Sequence, residues 1–86
     1  MIVGNNPRSL GTKMKFSRTD KDLENWQNER EYVVWWMADE VGRLFPEGAT
    51  MSEIYHKITG PKNLNQSDTA YLVKRAIEMG YLKRGR

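Results

Sequence analysis

The sequence predicts a mainly α domain built from three helices, and three observations carry that expectation. Apolar residues recur at three- and four-residue steps in three separate segments, each segment opens on a capping signal, and each closes on glycine or proline.

Residues 1–18 precede the first of these segments and contain Gly4, Asn5, Asn6, Pro7, Ser9 and Gly11, a composition suited to turns. They read as a flexible basic arm carrying Arg8, Lys13, Lys15 and Arg18 and no acid, with a single domain expected over residues 19–86. The first helix is predicted from Thr19 to about Phe45, where Leu23, Trp26, Val33, Val34, Met37, Val41, Leu44 and Phe45 keep helical spacing. Thr19 with Asp22 resembles a capping box, Asp20, Asp22 and Glu24 suit a helix N-terminus, and Pro46 with Gly48 ends the run. Arg30 interrupts the stripe. Either the helix kinks or divides near Asn28, or the aliphatic stem of Arg30 covers the stripe while its guanidinium reaches water; one helix is the preferred reading.

Thr50 and Glu53 form a second capping box, opening a short helix with Met51, Ile54, Tyr55 and Ile58 on its apolar side. Thr59, Gly60 and Pro61 stop it, and a polar connector follows in which Leu64 is the apolar anchor. Ser67 is the expected cap of a third helix over residues 68–79, with Val73, Ala76 and Ile77 inward and Gly80 at its C-terminal cap. Tyr81 and Leu82 begin an extended segment ending in Lys83, Arg84, Gly85 and Arg86.

With 86 residues the chain has room for one small core, a size at which net stability is roughly 3–5 kcal/mol. It contains no cysteine, which excludes disulfides, thiolate metal sites and a thiol nucleophile and fits a reducing, cytoplasmic setting. No apolar run approaches a membrane span, and the apolar stretch at the start is too short for a secretory signal, so no membrane partner is expected. Charge is segregated along the chain. Residues 19–48 carry three basic groups against eight acids, whereas residues 49–86 carry seven basic groups against three acids. Basic ends flanking an acidic middle point to a polyanion partner; a solubilising surface is the plainer explanation of the same pattern.

The segment from Thr50 to Arg84, read as TMSEIYHKI followed by SDTAYLVKRAIEMGYLKR, resembles the helix-turn-helix of winged-helix proteins, particularly bacterial repressor-type domains. The resemblance covers about 35 residues and rests on apolar spacing plus the step Gly80-Tyr81-Leu82. It implies a three-helix, winged-helix-like fold with the third helix as the recognition element. Two departures stand out: the turn from Thr59 to Gln66 is longer than in the simplest helix-turn-helix, and the wing hairpin is minimal or absent.

On that fold the N-terminal residues of the third helix approach base edges, making Gln66, Ser67 and Thr69 candidates for base or phosphate contact, and Tyr71, Lys74 and Arg75 candidates for phosphate contact. Asp68 would oppose phosphate unless it accepts from a cytosine amino group or serves the helix N-terminus, the latter being preferred. Lys74 and Arg75 also fit an ordinary solvated face. Lys83, Arg84 and Arg86 could follow the phosphate backbone as a shortened wing, and the N-terminal arm could reach a groove. Tyr32, Trp35 and Trp36 give the first helix more apolar surface than one contact needs, either as core or as an interface with a second copy or another protein.

Catalysis is not expected. His56 is the only histidine, Glu53 and His56 form a single Glu-x-x-His without a second copy, and no glycine-rich phosphate loop or nucleophile elbow is present; no cofactor or metal is called for. The expected function is DNA binding, as a small transcriptional regulator or an accessory factor in a DNA transaction, plausibly dimeric, of a size that suits a phage or mobile element. The alternative is a protein-binding adaptor or inhibitor anchored by Tyr32, Trp35 and Trp36.

Overall fold

The computed structural model describes residues 14–22 and 29–85. The expectations for residues 1–13, for the start of the first helix, the kink near Asn28, the inward placing of Leu23 and Trp26, and Arg86 fall outside the described residues. The described part is mainly helical, with three helices and a small three-stranded sheet: β1 (Lys15–Arg18), α1 (Glu29–Leu44), β2 (Ala49–Thr50), α2 (Met51–Ile54), α3 (Gln66–Met79) and β3 (Leu82–Arg84). A π-helical turn over Tyr55–Thr59 and a 3-10 turn over Gly60–Lys62 carry α2 toward α3.

α1 is acidic at its first turn through Glu29 and Glu31 and basic at its last through Arg43, so its charges oppose the helix dipole at both ends. Val34, Met37, Ala38 and Val41 form its buried stripe at three- and four-residue steps. Leu44, expected on that stripe, keeps its phase, about 20° from Met37, but as the last residue of α1 it runs past the core and is exposed.

Thr19 does not cap α1. Its N–H donates to Tyr81 O at 2.9 Å and its hydroxyl to Gly80 O at 2.5 Å, while the Lys21 ammonium donates to Met79 O at 2.7 Å. Thr19 and Lys21 therefore cap the C-terminal end of α3, where unpaired carbonyls and the negative dipole end favour such donors.

The box at Thr50 forms as expected: Thr50 N–H donates to Glu53 Oε1 (2.9 Å) and Glu53 N–H to Thr50 Oγ1 (3.1 Å). Gly60 is required where the π-helical turn closes, since a Cβ there would lie 2.7 Å from Tyr55 O. For α3 the cap is Asn65 rather than Ser67. Asp68 N–H donates to Asn65 Oδ1 (2.7 Å) and Asn65 N–H returns a bond to Asp68 Oδ2 (3.1 Å), which assigns Asp68 to the helix N-terminus. Gly80, at φ 90°, provides the left-handed C-terminal cap.

The sheet order is β2-β1-β3, all antiparallel, with Phe16 opposite Ala49 and Arg84, and Arg18 opposite Leu82. Residues 15–18, expected within a flexible arm, are thus the central strand. Alternation directs Phe16 into the core with Val34, Met37, Val41, Leu72, Val73 and Leu82. Arg18 lies on the same face and packs so closely on α1 that a Cβ at Gly42 would meet its own Cβ at 2.7 Å. Its Nη1 donates to Thr19 O (2.7 Å) and Lys21 O (2.8 Å), Nη2 lies 3.8 Å from Asp39, and the guanidinium sits 5.8 Å from the Tyr81 ring centroid.

Candidate nucleic-acid interface

α3 has one buried and one open side, and the periodicity of the helix decides which candidate residues are available. Thr69, Leu72, Val73 and Ala76 are buried, so the opposite side presents Gln66, Ser67, Ala70, Tyr71, Lys74 and Glu78 to solvent. Thr69, expected at the interface, is completely buried. Its hydroxyl donates to Asn65 O at 2.9 Å and shares a 2.5 Å hydrogen bond with Thr59 Oγ1. It stands one turn before Val73 and two before Ala76, on the core side, and it ties α3 to the end of the π-helical turn instead of facing a ligand.

The basic candidates separate into three environments. Lys74 on α3 and Arg84 on β3 line one groove of about 460 Å³, whose remaining lining is apolar: Met14, Phe16, Met51, Ala70, Val73 and Ile77. No carboxylate lines it among the described residues. Arg75 lies on the other flank of α3 and is ion-paired to Glu78 at 2.6 Å; that hydrogen bond raises its pKa further above the ordinary guanidinium value and holds the positive charge. Lys83 pairs in register with Ser17 and shares a shallow cleft with Ser17, Pro46 and Glu47, on the sheet face opposite Arg84. Strand alternation separates the two neighbours that the sequence places together.

Of the basic arm, Lys15 is an exposed strand residue. The Arg18 side chain is only 15% exposed and is committed to the contacts that hold β1 on α1 and α3. Arg8, Lys13 and Arg86 lie outside the described residues.

On α1 the aromatic candidates also divide. Trp35 and Trp36 are half-buried against the core, whereas Tyr32 is 43% exposed with its ring centroid 5.7 Å from that of Trp35. Trp35 Nε1 is buried and has no hydrogen-bond partner among the described residues. A second groove, of about 520 Å³, runs between α1 and α3; Glu29, Arg30, Asp68 and Tyr71 line it above Leu64 and Leu72.

Sequence reasoning missed Met14, Met51 and Ala70, which carry no charge and become visible as lining only once β1 is laid against α3. Among the described residues no group of three or more histidine, aspartate or glutamate side chains is placed to hold a metal ion, and no helix is long and apolar enough to cross a membrane. Compared with known proteins, the chain matches no family model, no curated protein and no solved structure.

Proposed function

We propose that this chain binds double-stranded DNA through the open side of α3, as a winged-helix variant in which β1 takes the position beside β3 where the returning strand of a wing is expected. The observation that carries the reading is the groove shared by Lys74 and Arg84, two cations from different elements over an apolar floor with no carboxylate lining it. Such a groove suits a phosphate backbone, because both cations can release condensed counterions from one strand. Gln66, Ser67 and Tyr71 continue the same open side toward the helix N-terminus, where a helix entering the major groove meets base edges. The reading makes the protein a small DNA-binding regulator or accessory factor.

Titration of a labelled mixed-sequence duplex at two salt concentrations tests it. The expected result is affinity that falls steeply with salt, with a slope reduced by about one unit in Lys74→Ala. Absence of binding at low salt, with the fold intact by circular dichroism, overturns the reading.

One observation favours a second reading, a protein-binding adaptor or a homodimer through α1: Tyr32 is exposed directly beside Trp35, whose indole N–H has no partner among the described residues. Light scattering of the wild type and of Tyr32→Ala separates these cases. A mass that drops on substitution supports self-association; a monomeric wild type removes the homodimer.

A further inference from the structure

A phosphate backbone engages only the two cations of the Lys74–Arg84 groove. Six of the eight lining residues are apolar, and a phosphodiester has no use for them. The buried Phe16 and Val73 lie deepest, while Met14, 46% exposed, and Met51, 37% exposed, stand at the lips. The volume of about 460 Å³ falls within the roughly 300–1,000 Å³ of small-ligand sites, which are mostly apolar with a few convergent polar groups.

The charge of the groove selects among such ligands. Lys74 and Arg84 are both exposed, neither makes an ion pair among the described residues, and no carboxylate lines the groove among them. Two such cations beside an apolar bed suit a ligand with an anionic head and an apolar body. The groove between α1 and α3 is the contrast: at about 520 Å³ it is similar in size, but Glu29 and Asp68 in its lining oppose a carboxylate. The one ring in the described lining of the basic groove, Phe16, is buried, so the accessible apolar surface is thioether and aliphatic. That surface matches an alkyl chain better than a planar aromatic body.

We infer that the groove is a binding site for a medium-chain aliphatic carboxylate, its head held between Lys74 and Arg84 and its chain laid along Met14, Met51 and Val73. The Arg84 guanidinium offers two parallel N–H donors to the carboxylate, and Lys74 adds a point charge from the other wall. The unbranched methionine side chains adjust to the alkyl chain. This site goes beyond the DNA-binding reading and requires no DNA; where both hold, carboxylate and phosphate compete for the same two cations.

The test is a calorimetric titration of the full chain, without DNA, with hexanoate, heptanoate and octanoate below their micellar concentrations, and with octanol as the uncharged control. The expected result is affinity that rises about fourfold per added methylene and is at least about tenfold weaker for octanol and for the variant Lys74→Gln/Arg84→Gln. Met14→Gln/Met51→Gln should flatten the dependence on chain length. All four substituted side chains are exposed, and circular dichroism checks the fold of each variant. Amide shifts on adding octanoate to the labelled wild type should cluster at Met14, Met51, Ala70, Lys74 and Arg84. Octanol binding as tightly as octanoate overturns the inference, because the groove is then an apolar patch without selectivity for an anion. Affinity independent of chain length overturns it as a bare anion site, and shifts centred on Glu29 and Tyr71 overturn it by placing the ligand in the other groove. No binding of octanoate overturns it outright. None of these outcomes bears on duplex binding, so the DNA reading is tested separately.

Discussion

The two grooves flanking α3 are similar in size and opposite in chemistry. On the sheet side Lys74 and Arg84 face each other over methionine and phenylalanine with no acid in the lining; on the α1 side Glu29 and Asp68 accompany Arg30 around Tyr71. The same helix supplies residues to both, Lys74 to one and Asp68 to the other, and what packs beside it reinforces the difference. The strand that carries Phe16 brings a basic neighbour, Arg84, and α1 brings the acids of its first turn. A small domain can thus segregate charge around one helix by matching the charges on each side of the helix to those of the element packed there.

The largest expected effect breaks this asymmetry directly. Lys74→Glu with Arg84→Glu makes both flanks acidic and should weaken duplex binding by on the order of a hundredfold at moderate salt, measured by fluorescence anisotropy. Thr69→Ala tests the separation of scaffold from surface. It strands the buried Thr59 hydroxyl, and the expected loss is about 1–3 kcal/mol in urea unfolding, with duplex affinity of the folded protein unchanged. Asn65→Ala removes the N-terminal cap of α3 and should cost about 1 kcal/mol, whereas Ser67→Ala should cost under about 0.5 kcal/mol; equal losses would contradict the assignment of Asn65 as the cap. The smallest effect belongs to Asp68→Asn, which removes one acid from the α1 flank and should tighten duplex binding no more than about threefold.

The helices were largely legible because their signals are local. The Thr50–Glu53 box and the stripe Val34, Met37, Val41 appear in the structure as read, and Gly80 caps α3. β1 was illegible because KFSR offers one apolar residue, and a central strand of four residues owes its place to the partners on either side of it. The same long-range pairing took Thr19 away from α1 and placed it on the end of α3, and it turned Arg18 from an expected arm cation into a bolt between β1, Asp39 and Tyr81. Two features of the candidate site were present as periodicity and went unread. Thr69 shares the helical phase of Val73 and Ala76, which marks it as inward. Lys83 and Arg84 follow a buried Leu82 in a strand, so they must part to opposite faces.

The grouping of Lys74 with Arg84 required the sheet. Neither residue is distinguished by its neighbours in sequence, and only the register of β3 against Phe16 brings Arg84 to the side of α3.

The most direct test of the account is an NMR titration of the isotopically labelled protein with a mixed-sequence duplex, following amide shifts residue by residue. The account predicts shifts concentrated at Gln66, Ser67, Ala70, Tyr71 and Lys74 of α3 and at Met14 and Arg84, with Lys83 and the α1 aromatic residues unmoved. Shifts centred on Tyr32, Trp35 and Trp36, with α3 silent, would contradict it.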